Sequence, residues 1–329
     1  MLNAKERRLN NGRVDRALFL CYPFKAINMN KGSTTILNIA VGLLLGLFVA
    51  GQFAFKNDQE KTEPVTKFSS PPLPAELSFA GEKVPLERWD VKERFDREYL
   101  FNYYNQANVI FLIKLANRYF PTISARLKEN GVPDDFKYLC VAESNLLSGA
   151  KSGVGATGFW QFMKGTAPGY GLEVNDQVDD RYDVLKSTDA ACQYLKKSYE
   201  KFGNWTAAAA AYNCGQGGYN GQATYQGTNY YYHLHLPEET NRYLFRILAF
   251  KQLLEHAPEL GFEVKDVEKY RAVATKTITV NSTVPNLAQF AKDNGTTYKM
   301  LRLLNPWLRG KSLPVKQGKS YNIQVPATS

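Results

Sequence analysis

The chain is poor in the side chains that metal and thiol chemistry draw on. It has three histidines and four cysteines in 329 residues. His233 and His235 alternate with no further ligand beside them, and the cysteines show no zinc spacing, so no metal site is indicated. No cofactor is implied. Cys140 lacks a histidine placed to activate it, which argues against a thiol nucleophile. Cys140, Cys192 and Cys214 lie beyond residue 55 and allow either one disulfide with one thiol left over or three buried thiols. Acid is missing where it matters: no Asp or Glu lies between Glu143 and Glu173. Charge of any sign is missing from residues 32–55.

The net charge of +10 sits at the two ends. Residues 1–31 carry seven Lys/Arg against two acids, and residues 271–329 carry nine against one. The middle is therefore slightly acidic and lacks the basic face that a nucleic-acid binder needs, so no nucleic-acid partner is expected. The uncharged run over 36–55 has the ~20 residues that span a bilayer. The preceding Lys/Arg excess puts the basic N-terminus (1–31) in the cytoplasm and exports the remainder. Residues 32–55 are expected to be a membrane anchor, with 34–55 in contact with lipid, because the run exceeds a typical signal-peptide core. A cleaved signal peptide is the alternative: Val49-Ala50-Gly51 are small where cleavage needs them, and Met29 offers a second start. Lipidation of Cys21 is disfavoured by the bulky Leu20 before it. The expected location is the periplasmic side of a cell envelope.

Residues 56–86, charged and proline-bearing, read as a tether. A mainly helical domain follows over 87–258. A first helical pattern runs over 90–119, Phe120-Pro121 breaks it, and Pro121 opens the next helix, which stops near Asn130-Gly131. Pro133 fits the first turn of a third helix, with Asp134 and Asp135 at its positive end. On it Phe136, Leu139, Cys140 and Glu143 share one face, and a carboxyl held there loses hydration and gains pKa. That suits a general acid, although a structural ion pair would perturb a carboxylate too. Gly155 and Gly158 permit close backbone approach. Gln161 is a neutral donor and acceptor, Phe159 and Trp160 offer flat apolar faces, and Ser144 can bond near the carboxylate. Asp179-Asp180-Arg181-Tyr182-Asp183 is a candidate second acid cluster, but Asp183 suits the cap of a helix over 184–202, and Asp180 and Arg181 can pair locally. An alanine-rich helix leads to Tyr212 and Asn213. Residues 215–232 read as a loop in which Tyr219, Tyr225 and Tyr230, Tyr231 and Tyr232 are stacking candidates. Pro237 opens the last helix of the domain, with Tyr243 one turn in.

Glu143-Ser144, Gly158-Phe159-Trp160-Gln161-Phe162-Met163, Ala211-Tyr212-Asn213 and Glu239-Thr240-Asn241-Arg242-Tyr243 resemble four ordered motifs of the lytic transglycosylases related to goose-type lysozyme. The resemblance spans residues 90–256. It implies a lysozyme-like α-helical catalytic domain that cleaves peptidoglycan glycan strands between MurNAc and GlcNAc. It implies Glu143 as the catalytic acid, with Ser144, Phe159, Trp160, Gln161, Tyr212, Asn213 and Tyr243 around the sugars. Phe159 stands where the family has a smaller Leu. Goose-type lysozymes carry candidate water-activating aspartates in the interval that is acid-free here, which implies the non-hydrolytic branch and a 1,6-anhydroMurNAc product. Hydrolysis on the same fold and non-catalytic wall binding are the alternatives.

After a linker over 259–276, residues 277–326 read strand–helix–helix–strand. This order, with Leu303-Leu304-Asn305-Pro306 and Val315-Lys316-Gln317-Gly318-Lys319, resembles a LysM domain, a small α+β binder of GlcNAc-containing glycans. The family's Gly-Asp after the first strand is replaced by Val280-Asn281-Ser282, and the module's positive charge offers attraction to anionic polymers instead.

Overall fold

The structure, a computed structural model, describes residues 31–56 and 69–327. Residues 1–30 and 57–68 lie outside it, and with them the basic N-terminus, Cys21, Met29 and the middle of the tether. Helix α1 (Lys31–Lys56) takes up the uncharged run. Among the described residues no helix is long and apolar enough to cross a membrane.

From Ser69 onward the chain is a separate unit. A two-residue hairpin, β1 (Ser78–Phe79) and β2 (Glu82–Lys83), precedes α2 (Trp89–Tyr104), α3 (Gln106–Glu129) and α4 (Phe136–Ser144). After an irregular segment come α5 (Val184–Phe202), α6 (Trp205–Gln226) and α7 (Glu238–Glu255). The expected mainly α domain is present, and its order starts earlier than residue 87: Leu77, Phe79 and Val84 are buried in the common core. Phe136, the first residue of α4, is fully buried edge-on to Phe79 (5.0 Å) and Trp205 (5.4 Å). Such pairs add about 0.5–1.5 kcal/mol each beyond area burial. The hairpin thus packs on the foot of α4, and Asp135 ties it there by accepting from Ala80 N–H (2.7 Å) and Lys251 Nζ (2.8 Å).

Two element boundaries differ from expectation. The first break falls at Asn105, not at Pro121, which lies inside α3. A proline there forgoes one helical hydrogen bond, but Ile123 and Leu127 just beyond it are fully buried, so packing holds the helix together. Residues 215–226 are helical rather than loop. Gly215 (φ 78°, ψ 148°) makes a kink that only glycine adopts easily, and the chain resumes as helix to Gln226. Tyr219 supplies the reason: it is fully buried against Phe202 (ring centroids 4.8 Å), so packing outweighs the low helix propensity of the glycines. Asp183 and Gly203 bound α5 as expected, the Asp183 carboxylate accepting from Leu185 N–H (2.9 Å) and Lys186 N–H (3.0 Å).

The C-terminal module has the expected order: β3 (Thr275–Val280), α8 (Leu287–Asp293), α9 (Tyr298–Leu304) and β4 (Tyr321–Pro326). β3 and β4 pair antiparallel with Ile278 opposite Ile323. Fully buried Asn305 explains the Leu-Asn-Pro run. Its amide donates to Leu301 O (2.8 Å) and Gln324 O (2.7 Å) and accepts from Gln324 N–H (2.7 Å), tying the end of α9 to β4. The preceding linker lies against α3, where Tyr270 N–H donates to Lys114 O (3.2 Å).

Candidate active site

Glu143 sits on the last turn of α4, and the chain turns away immediately after it. Asn145 (φ 50°) and Leu146 (φ 58°) are both left-handed, a costly pair of non-glycine residues that the buried Leu146 side chain helps to hold. Gln161 (φ 49°) is left-handed as well, so three of the four such residues among those described flank this site. The Glu143 carboxyl is enclosed by protein atoms, yet the residue keeps partial contact with solvent. Burial pushes its pKa up from 4.5 to about 7, against the lowering effects of the Tyr243 hydrogen bond and the Arg246 charge, while Glu239 adds to the rise. Tyr243 donates its hydroxyl to Glu143 Oε1.

Tyr212 and Tyr243 both lie within electrostatic reach of the carboxyl. The Tyr212 hydroxyl donates to Trp160 O (2.7 Å), and the Glu143 charge raises the pKa of Tyr212 beyond what burial alone does. Asn213 Oδ1 accepts from the Thr240 hydroxyl (2.8 Å), which leaves its amide hydrogens as donors. Both residues are half-buried just before the Gly215 kink. Gln161 uses its amide nitrogen to hold its own loop, donating to Gly158 O (2.8 Å) and Ala150 O (3.2 Å).

Three expected contact residues are structural. Trp160 is fully buried and Phe159 nearly so, and Trp160 Nε1 donates to Thr188 Oγ1 (2.9 Å), so neither ring offers a face to a sugar. The Ser144 hydroxyl is buried and bonds back to Cys140 O (3.1 Å), not to the carboxylate. Of the loop tyrosines, Tyr219, Tyr231 and Tyr232 are buried, and Tyr225 is openly exposed. Cys140, Cys192 and Cys214 are free thiols, the first two buried.

The acid cluster is committed elsewhere too. Arg181 pairs with Asp179 (2.9 and 2.7 Å) rather than with Asp180, both side chains of that pair being buried. Asp180 accepts from Lys186 Nζ (2.8 Å), and Asp183 caps α5. Gly158 is held against this cluster: a Cβ on it would stand 1.8 Å from Arg181 O.

Sequence reading passed over the charges behind the site. Buried Glu98 on α2 accepts from Arg242 Nε (2.6 Å), with Arg246 Nε 3.7 Å away, and Arg246 also pairs with Glu239 (3.0 Å). The i, i+4 spacing of Arg242 and Arg246 on one face of α7 was the available signal.

Comparison with known proteins gives two domain matches. Residues 120–234 match the transglycosylase SLT domain, and residues 276–329 match the soluble lytic transglycosylase C-terminal LysM-like domain. The membrane-bound lytic murein transglycosylase D of Escherichia coli K12 is 29% identical over 204 residues, 60% of this chain and 44% of that protein. A putative tributyltin chloride resistance protein of Alteromonas sp. is 28% identical over 123 residues, 35% of this chain and 59% of that protein. The chain thus spans less than half the length of the E. coli relative. The 70 kDa soluble lytic transglycosylase of E. coli aligns with 57% of this chain and 37% of its own at 19% identity and TM-score 0.38. An inactive mutant of Slt from Pseudomonas aeruginosa aligns with 46% of this chain and 26% of its own at 23% identity and TM-score 0.34.

Proposed function

We propose that this chain, which carries a transglycosylase domain followed by a LysM-like domain, is a peptidoglycan lytic transglycosylase with Glu143 as its acid and base. The observation that carries the reading is a single enclosed carboxyl, hydrogen-bonded by Tyr243 and raised to about 7 by burial, while Asp179, Asp180 and Asp183 are occupied by structural partners. Two-carboxylate glycosidases need a second free acid to activate water or attack the sugar. Here one group serves both steps. Protonated Glu143 gives its proton to the oxygen linking MurNAc C1 to GlcNAc, and the C1–O bond breaks. The substrate's own acetamido oxygen stabilises the positive C1. The Glu143 carboxylate then takes the proton of the MurNAc C6 hydroxyl, whose oxygen closes on C1. The product is 1,6-anhydroMurNAc, no water is consumed, and Glu143 ends protonated. This reading assigns Asn213, Gln161 and Tyr212 to positioning sugars and Tyr243 to orienting the carboxyl.

Residues 32–55 serve as the membrane anchor in this reading, on the strength of their uncharged sequence and the basic segment before them. The chain then works from the outer side of that membrane. The glycan strand is the partner of the Glu143 site, and the LysM-like module is a second wall contact.

Mass spectrometry of purified wall glycan digested with the protein, beside Glu143→Gln, tests the chemistry. Products one water lighter than reducing muropeptides, absent with the variant, are expected. Reducing-end products would make the enzyme a muramidase. No products from wild type, with the protein pelleting on sacculi, would make it a wall-binding protein.

A further inference from the structure

The C-terminal module meets the helical domain chiefly along one strip of chain, residues 173–182, with Lys186 just beyond it over the Trp307 and Tyr321 rings (5.5 and 6.0 Å). Val178 forms a β-bridge with Leu308, and Asp179 N–H donates to Trp307 O (2.9 Å). Gln177 O accepts from Arg309 N–H (2.7 Å) and Gly310 N–H (3.3 Å). Val178 and Tyr182 belong to the module's own hydrophobic core rather than to the catalytic one. At the edges, Glu173 accepts from Lys319 and from the Tyr321 hydroxyl (2.9 Å), and the Arg309 guanidinium lies 4.2 Å from the Tyr182 ring centre. A surface ion pair alone would be worth little, but here main-chain bonds and a shared apolar core act together.

The other side of the same strip grips the active-site loop. Arg181, paired with Asp179 in a buried setting, donates to Phe162 O (3.0 Å) and Gly155 O (3.3 Å), the two ends of the loop carrying Gln161. The Arg181 carbonyl presses on Gly158 in the middle of that loop. The loop's carbonyls then reach the catalytic helices: Phe159 O accepts from Cys140 Sγ (3.4 Å), one turn before Glu143, and Trp160 O accepts from Tyr212. Asp179 therefore touches the module through its main chain and the loop through its side chain's partner.

We propose that the LysM-like module is a brace for the active-site loop, with Asp179 and Arg181 as positioning residues that transmit its docking to residues 155–162. Its seat on the strip fixes the loop, and the loop fixes Gln161 and the Tyr212 hydroxyl. This inference rests on the Glu143 site being catalytic. It assigns the module a part in turnover that is separate from any grip on glycan.

Two substitutions in the full-length protein test it, with soluble uncross-linked peptidoglycan strands as substrate and amide hydrogen exchange as the second readout. Gly310→Leu wedges the docking face, since a Cβ there already stands 3.0 Å from Gln177 Cγ. Arg181→Lys keeps the charge facing Asp179 but loses both the fork that grips that carboxylate and the Nη1 that reaches Phe162 O and Gly155 O. Both are expected to lower kcat about 10-fold, well within what a 1 Å misplacement can do, with KM within about twofold. Exchange in residues 155–162 should quicken in both, while the β3–β4 ladder stays protected and shows the module folded. Arg181→Lys with wild-type kcat and wild-type loop exchange overturns the proposal. So does Gly310→Leu if it exposes the Asp179 amide yet leaves the loop protected. Should the wedge fail to expose that amide, Arg181→Lys decides alone. Wild-type protein inactive on the strands would count against the catalytic reading, while the exchange data would still decide the brace.

Discussion

Tyr243, one turn into α7, donates its hydroxyl to the Glu143 carboxyl at the end of α4. Removing water from the carboxyl raises its pKa, and the hydroxyl lowers it, by stabilising the charged form. The value near 7 is the balance of the two, with Arg246 and Glu239 as smaller opposing influences.

The first consequence is a pH-dependent stability. Glu143 holds its proton more tightly folded (about 7) than unfolded (4.5). Its protonation favours the fold fully below pH 4.5, and that contribution is lost as pH rises through 7. Glu143→Gln carries no charge to desolvate. Urea unfolding should find it equal to wild type at pH 4 and more stable by up to about 2–3 kcal/mol at pH 8, at 1.36 kcal/mol per pKa unit less some solvent screening. Equal stabilities at pH 8 would mean the carboxyl is not desolvated.

Tyr243→Phe removes the bond that favours the ionised carboxyl. The pKa of Glu143 should rise, and with it the alkaline limb of kcat/KM, which reports the acid that must stay protonated. A pH–rate profile shifted upward from 7 is expected, together with a lower maximum from the loss of orientation. A limb that stays at the wild-type pH would detach Tyr243 from the titration.

Arg246 and Glu239 should move the same limb in opposite directions. Arg246→Gln deletes a lowering charge and shifts it up. Glu239→Gln deletes a raising charge, frees Arg246 and shifts it down. Both shifts should shrink in high salt, because Glu239 is exposed. Shifts of the same sign would contradict the electrostatic account.

Trp160→Phe separates packing from sugar contact. It leaves Thr188 without the Nε1 donor, although the Thr188 hydroxyl still bonds Val184 O (2.6 Å). A loss of about 1–3 kcal/mol in unfolding free energy is expected, with affinity for glycan strands unchanged. A weaker affinity at unchanged stability would return the ring to the substrate.

The helices that carry the site were readable where apolar spacing and caps agreed: α5 between Asp183 and Gly203, and the face of α4 that holds Glu143. Reading failed where tertiary packing overruled local preference. Pro121 stays inside α3, and the glycines after Gly215 stay helical because Tyr219 is anchored in the core. At the site, residue type suggested sugar contact for Trp160 and Phe159, but only the three-dimensional arrangement reveals that their rings face inward and that their carbonyls carry the contacts to α4 and α6. The Glu98–Arg246 charges come from helices far apart in sequence, and no local pattern joins them.

The alanine run of α6 bears on how such a chain can change. Ala207, Ala208, Ala209, Ala210 and Ala211 are all fully enclosed, and Gly158 has no room for a side chain. Any larger residue at these places overfills the interior, at roughly 1–3 kcal/mol each, whether or not the protein cuts glycan. A descendant that lost Glu143 would still be obliged to keep them. It would go on resembling this chain at every position that folding polices, and nothing in the packing would register the loss.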